Sequence, residues 1–360
     1  MNITAKDIAK NLGISTSAVS LAMNGKPGVS VATREKVLAE AIRMGYYIKK
    51  ESEIANQNIR YVIFLEGGAT VQETSFYSIV LQGIEITAKQ HGYNVLISYF
   101  NSKQSWTEQI AAVTKDVSGL IVLGTEVEDR HIYTAIQNGL GKINLPLVMV
   151  DNATSIINID SVVADNLRGA YHAVTFLLNK GHKDVGYLRS TSRIDSFDER
   201  QLGYLKARKE HGLSDADIPP VIDVGISSEH AYYDMCNWLD AGNRPCTAFF
   251  AENDIIAAAC IRALKSHGFQ VPQDVSVVGF DDMPLCTMVD PPLTTIRIMK
   301  EEMGMAAMEI LHHRIQQGTH ALNDNRIGVY RVAISTHLVE RNSTRQLKAA
   351  SGGSDLQVSH

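Results

Sequence analysis

The sequence predicts a small all-α unit of helix-turn-helix type followed by an α/β body of two similar parallel-sheet lobes. Three observations predict it. Residues 4–44 carry three short helical patterns separated by Gly-bearing turns. From Arg60 onward, short β-rich runs alternate with helical stretches. The first four of those runs are then matched by a second four whose starts lie 124 to 128 residues further on. Alternation of this kind implies parallel sheets with right-handed crossovers, and the near-constant offset implies two lobes of one architecture.

In the first unit, Thr4 precedes a helix whose apolar positions are Ile8, Ala9 and Leu12, with Asp7 where a capping partner belongs. Gly13 ends it, because a left-handed residue there costs glycine nothing. Ser15 or Thr16 caps a second helix to about Met23, with Val19 and Ala22 facing inward. Asn24-Gly25-Lys26-Pro27-Gly28 is a concentrated turn signal. Ser30 caps a third helix to Met44, with Val37, Leu38, Ala41 and Ile42 on one face and Gly45 as its stop. This order is that of a helix-turn-helix. Any three-helix bundle shares the periodicity, but the Gly13-Ile14-Ser15 connection is tight. The outer face of the second helix also carries the short polar Thr16, Ser17 and Ser20, which can reach base edges or phosphates.

Charge agrees with a polyanion partner for this segment. Residues 1–50 hold eight Lys/Arg against three acids, a surplus of five in a chain of net −5, so the remainder carries ten net negative charges. With 360 residues, 45% of them apolar and 20% charged, the chain is globular, long enough for two or three domains, and neither disordered nor fibrous. The start, MNITAKDIAK, lacks the apolar core of a secretory signal, and no apolar run approaches the roughly 18 residues of a membrane span. Cys236, Cys246, Cys260 and Cys286 lie far apart and read as reduced core thiols of a cytoplasmic protein.

The body's strands are expected at Arg60–Glu66, Asn94–Tyr99, Gly119–Leu123 and Leu147–Val150, then at Asp184–Leu188, Val221–Asp223, Thr247–Ala251 and Val275–Phe280. Such a body holds a ligand in the cleft outside the carboxyl ends of its strands. A nucleotide-dependent or hydrolytic α/β enzyme has no support: Glu66-Gly67-Gly68-Ala69-Thr70 is not a dinucleotide loop, and the P-loop, nucleophile-elbow and zincin motifs are missing. No catalytic residue, metal site or cofactor is expected.

Ala5-Lys6-Asp7-Ile8-Ala9, Gly13-Ile14-Ser15, Ala18-Val19-Ser20, Asn24-Gly25, Val29-Ser30, Thr33-Arg34-Glu35-Lys36-Val37-Leu38 and Gly45-Tyr46 resemble the LacI/GalR family of bacterial transcriptional repressors. The resemblance continues through Leu81-Gln82-Gly83-Ile84, His91-Gly92-Tyr93, Ser118 to Val122, Asp165-Asn166, Gly169-Ala170, Gly181-His182 and Arg200 with Gly203-Tyr204. It is strongest at Glu252-Asn253-Asp254, Val271 to Asp282 and Pro291 to Ile296, and spans about residues 3 to 341. It implies a core of periplasmic-binding-protein type I architecture.

It also implies that Thr16, Ser17 and Leu21 face bases, while Thr4, Ser15, Ser20, Asn24, Thr33 and Tyr46 contact the DNA backbone. The linker, YYIKKESEIANQNIR, departs from the family: Ile48 stands at its proline position and Ala55 at its wedge leucine. Two readings stand there, a hinge helix with Ile54 wedged into the minor groove or a plain tether. In the cleft, Asp151, Arg200, Asn253 and Asp281 carry over and suit a polyhydroxyl or carboxylate ligand. Phe76 and Tyr77 can stack on a sugar or base face, and Arg193 and Ser196 lie on the stretch leading to Arg200. Asp254 reads as an N-cap rather than a ligand.

The expected protein is thus a cytoplasmic homodimeric repressor binding a pseudo-palindromic double-stranded operator under control of a small-molecule effector, a carbohydrate or related metabolite. Its parts are a headpiece (1–47), a hinge (48–59), a two-lobed effector and dimerisation core (60–341) and a disordered tail (342–360). A free-standing solute-binding protein shares the core but has no use for the basic headpiece.

Overall fold

A computed structural model describes residues 4–23, 28–44, 57–67, 75–213, 219–318, 322 and 327–347. The chain divides into two compact units, Met1–Asn56 and Gln57–His360.

The first unit contains α1 (Ala5–Leu12), α2 (Thr16–Met23) and α3 (Val31–Arg43). Asp7 accepts from the Thr4 backbone N–H at 2.8 Å and the Thr4 hydroxyl at 2.6 Å, which closes the first turn of α1. These bonds hold its carboxyl below the usual range. Gly13 ends the helix at φ 65°, a left-handed value open to glycine. Ile8, Ala9, Val19, Ala22, Val37 and Ala41 form one buried cluster joining the three helices.

In the second unit, the eight anticipated strands all form, with ends within two residues of those expected. They are β1 (Asn58–Leu65), β2 (Asn94–Asn101), β3 (Leu120–Leu123), β4 (Leu147–Val150), β6 (Val185–Ser190), β7 (Val221–Val224), β8 (Ala248–Ala251) and β9 (Ser276–Asp281). Four more were not anticipated: β5 (Asp160–Ala164), β10 (Thr294–Arg297), β11 (Arg331–Ile334) and β12 (His337–Val339). Two six-stranded sheets result, ordered β11-β5-β4-β3-β1-β2 and β12-β10-β9-β8-β6-β7, parallel except for the β10–β12 pair. The chain passes between lobes three times: from β5 into α7 (Asn166–Asn179), from β10 into α11 (Lys300–Gln317), and from β11 to β12.

Strand side chains alternate between the two faces of each sheet. On β1, Ile59, Tyr61 and Ile63 pack with Val80 and Ile84 of α4 (Phe76–Gln90) and Met303, Met308 and Leu311 of α11. Val62 and Phe64 face the opposite side, toward α5 (Trp106–Thr114) and α6 (Asp129–Gln137). The second lobe repeats the plan with α7 and α8 (Asp195–Glu210) on one face, and α9 (Ser228–Asp240) and α10 (Asp254–Ser266) on the other.

Glycines allow the closest helix crossings. A Cβ on Gly83 of α4 would lie 2.0 Å from the Glu301 carbonyl oxygen, and one on Gly304 of α11 would lie 2.1 Å from that of Val80. Arg314 of α11 makes a buried bidentate pair with Asp160 of β5, at 2.7 and 2.8 Å. Asp160 also accepts from the Tyr330 N–H just before β11, so one carboxylate joins helix, strand and returning chain.

One expectation needs correction. Residues 342–347, assigned by their polar composition to a disordered tail, run along the second lobe. Ser343 is fully buried, its hydroxyl accepting from Thr294 N–H and donating to the Val277 carbonyl, and Leu347 N–H donates to Lys180. Backbone pairing, which composition does not report, orders this stretch.

Candidate functional site

On the headpiece, Ser15 precedes α2 and its hydroxyl accepts the Ala18 N–H at 3.1 Å, which makes it the N-cap of that helix. Thr16, Ser17 and Ser20 are exposed on α2, and Leu21 beside them is half-buried. Thr4 is exposed at the start of α1. Thr33 lies in the first turn of α3, where its N–H donates to Ser30 Oγ at 3.1 Å and its hydroxyl pairs with the same atom at 2.8 Å. Asn24, Tyr46 and Ile54 lie outside the described residues.

In the core, one cavity enclosing about 470 Å³ of empty space, its open mouth included, gathers Phe76, Tyr77, Asp151, Ser196, Arg200, Asn253 and Asp281. Leu123, Thr125, Ile194 and Phe197 complete its wall and were not anticipated. The end of β3 at Leu123 is anticipated, and Leu123 and Thr125 become legible as wall residues once β3 is known to lie beside β4. The cavity lies at the carboxyl ends of β3, β4, β8 and β9, where open α/β sheets hold ligands.

Arg200 is its organising group. The α8 helix presents it buried, its guanidinium 3.8 Å from the Phe280 ring centroid. Its Nε donates to Asn166 Oδ1 at 3.0 Å, Nη1 to the Glu252 carbonyl at 2.5 Å, and Nη2 lies 3.0 Å from Asp281 Oδ1. Two of its five N–H groups are thereby spent on hydrogen bonds within the protein, and Nη2 faces Asp281 as an ion pair. Ser196 lies one turn earlier on α8.

Asp151 keeps part of its surface open to the cleft and accepts the Thr125 hydroxyl at 2.7 Å. Burial pushes its carboxyl up to about 7, against the opposing pull of Thr125 and Arg200. Burial also raises Asp281, with Arg200 and Lys300 opposing. Lys300, the first residue of α11, donates to the Asp281 backbone carbonyl. Across the mouth, Asn152 of the first lobe donates to Asp195 of the second at 3.2 Å and to the Val127 carbonyl at 2.8 Å.

Two expectations about this region are revised. Arg193 does not line the cavity. Its guanidinium is engaged by the fully buried Glu252, at 2.7 and 2.8 Å, and by Asp198 at 2.7 Å. A carboxylate buried to that degree requires a paired cation, and Arg193 supplies it. Glu252 further accepts from Tyr187 Oη and Ser190 N–H, both at 2.6 Å. Nor is Asp254 the N-cap of its helix. Asn253 caps α10 by accepting the Ile256 N–H at 2.8 Å, so its side-chain amide is left to donate into the cleft. Asp254 instead ties the loop after β9 to β10, accepting from Met283 N–H at 2.8 Å and Thr295 Oγ1 at 2.5 Å.

A family model described as "Bacterial regulatory proteins, lacI family" matches residues 4–48, and one described as "Periplasmic binding protein-like domain" matches residues 174–344. The HTH-type transcriptional repressor CytR of Escherichia coli (strain K12) is 31% identical over 96% of this chain and 97% of its own length. Among solved structures, a complex of the transcriptional regulator CelR with cellobiose is similar at a TM-score of 0.66 and 23% identity, over 95% of this chain and 99% of that one. The lac repressor dimer bound to operator and the anti-inducer ONPF is similar at a TM-score of 0.66 and 24% identity, over 96% and 100%. The likeness to CytR runs through headpiece and core alike, and the chain belongs to the LacI family of bacterial regulatory proteins as a DNA-binding transcriptional regulator, not an enzyme.

Proposed function

We propose that this regulator is a cytoplasmic homodimeric repressor whose cleft takes an uncharged polyhydroxyl effector of the sugar class. The cleft chemistry carries the reading: one arginine flanked by two carboxylates, with Phe76, Tyr77 and Phe197 as apolar walls. Carboxylates accept paired hydroxyls, the free guanidinium N–H groups donate, and rings cover the apolar face of a pyranose or furanose. A carboxylate effector is disfavoured, because Arg200 already faces Asp281 and a further anion would meet Asp151 as well. The structural neighbour described as a complex with cellobiose supports the same class.

On the headpiece, Thr16, Ser17 and Leu21 are the base-reading residues. Thr4, Ser15, Ser20 and Thr33, together with Asn24 and Tyr46, hold the phosphates, and Ile54 is the minor-groove wedge. Two headpieces of a two-fold dimer require a pseudo-palindromic operator. Effector binding shifts the lobes and so changes operator affinity, a coupling of typically about 1–3 kcal/mol.

The test is selection of operator fragments by the full chain, followed by titration of a sugar panel into the protein and into its DNA complex. A saturable neutral sugar that alters operator affinity is expected. Binding only of carboxylate or phosphate compounds would overturn the effector class. Operator affinity that does not fall steeply with salt would remove the headpiece's role, since neutralised phosphates release counterions.

A further inference from the structure

On the face of the first sheet turned away from α4 and α11, α5 and α6 roof a void of about 90 Å³ whose surface is wholly apolar. Four rings wall it. Phe64, Phe100, Trp106 and His131 touch one another with centroids between 4.9 and 6.2 Å apart. His131 is the polar member, yet both its nitrogens point elsewhere. Nδ1 accepts the Glu128 N–H at 3.0 Å, so the ring proton sits on Nε2, which lies 3.2 Å from the Glu66 carboxylate. The imidazole contributes no polar surface to the void.

Interiors are close-packed, with few voids larger than a water molecule. A water here would find none of the two to four polar partners it needs, and an apolar cavity engineered into a core stays dry and takes a hydrocarbon guest. We propose that this void is a second ligand site, for one uncharged aromatic ring. The aromatic wall favours a ring, stacked or edge-on, over a chain, and the lack of any donor or acceptor excludes an ionised or hydroxylated guest. The void is smaller than the roughly 150 Å³ that holds benzene in an engineered core, so the ring enters as α5 gives way. That helix is suited to moving, since Val113 is its one buried side chain. The site is separate from the effector cleft: of two adjacent residues on β3, Val122 lines the void and Leu123 lines the cleft.

Benzene is the probe and the full chain the sample. At ten times its dissociation constant, benzene raises the melting temperature by about 3 °C. In Trp238→Phe protein, where Trp106 is the remaining tryptophan, emission changes over the same concentration range. Ala135→Leu, which extends an α6 side chain into the void, abolishes both responses, and Val122→Ile weakens them from the opposite wall. No saturable shift in the unmodified chain overturns the proposal. So does an undiminished shift in folded Ala135→Leu and Val122→Ile proteins, which would place benzene elsewhere.

Discussion

Asp151 and Asp281 are counterparts. Each follows or ends the fourth strand of its lobe, β4 or β9, and each has a positive φ, 65° and 107°. Positive φ in a residue with a Cβ costs about 1–3 kcal/mol and persists where surrounding structure fixes it, which is most often a functional site. Aspartate tolerates the conformation better than most residues. The two lobes thus aim equivalent carboxylates at one cleft, where a single arginine meets them. A ligand with several hydroxyls can accept from Arg200 while donating to both lobes, which gives the lobes a reason to close on it.

Asp151 sets a pH dependence. Its folded pKa of about 7 stands above the usual 3.8, because burial disfavours the charged form. The folded chain holds this proton where the unfolded chain has lost it. The contribution to stability is therefore complete below about pH 4, falls at up to about 1.4 kcal/mol per pH unit, and is gone above about pH 7. Asp151→Asn removes that slope. Denaturant melts of both proteins from pH 4 to 8 give the difference, and parallel curves would contradict it.

Arg200→Ala removes the cation that Asp281 faces and the donors to Asn166 and the Glu252 carbonyl. Breaking a buried pair from one side costs about 3–5 kcal/mol, so the variant unfolds at lower denaturant and loses its effector. Pairing Arg200→Ala with Asp281→Asn recovers stability, because no unpaired charge remains, but does not recover binding. Calorimetry on the double variant separates the two roles; restored effector affinity there would count against Arg200 as a ligand.

The sequence reveals eight of the twelve described strands and most of the cleft for a physical reason. Asp151, Asn253 and Asp281 sit at or just past strand ends, and strand ends follow from apolar periodicity. What it hides depends on long-range pairing. β5 is five residues long and opens on a charged Asp160, and its pairing with β4 and β11 and the Arg314–Asp160 pair explain it. Arg193 and Arg200 look equivalent in one dimension. The buried Glu252, which claims the first, becomes visible only when β6 and β8 lie side by side. Asn253 and Asp254 could each cap a helix, and the one-residue choice turns on Met283 and Thr295, distant in sequence.

Gly83→Ala and Gly304→Ala test the α4–α11 crossing. In an isolated helix either change is favourable by about 1 kcal/mol. Here each new Cβ would stand about 2 Å from a carbonyl oxygen of the facing helix, and backbone cannot give way as a side chain does. Net losses of about 1–3 kcal/mol are expected, read as a lower melting temperature. A gain in either variant would show that the helices do not meet at these residues.

Leu21 carries the sharpest expectation for DNA reading. It is half-buried on α2 and lies outside the buried cluster of Ile8, Ala9, Val19, Ala22, Val37 and Ala41. Its Cδ1 sits 3.1 Å from where a Cβ on Gly28 would stand, so it leans on the loop after the helix rather than filling the core. Ser17, one turn earlier, is exposed on the same side. Leucine cannot donate a hydrogen bond but can pack on a thymine methyl, so half-sites with A·T pairs at its position are expected. In Leu21→Arg, a guanidinium bidentate to guanine O6 and N7 shifts that one position toward G·C by about 1–3 kcal/mol. Because the leucine is not a core residue, the variant should melt as the unmodified chain does. Selection on randomised half-sites, with a melting curve for each protein, reads both quantities. A stable variant whose preferred sequence is unchanged would remove Leu21 from the base-contacting set, and a destabilised one would return it to the core.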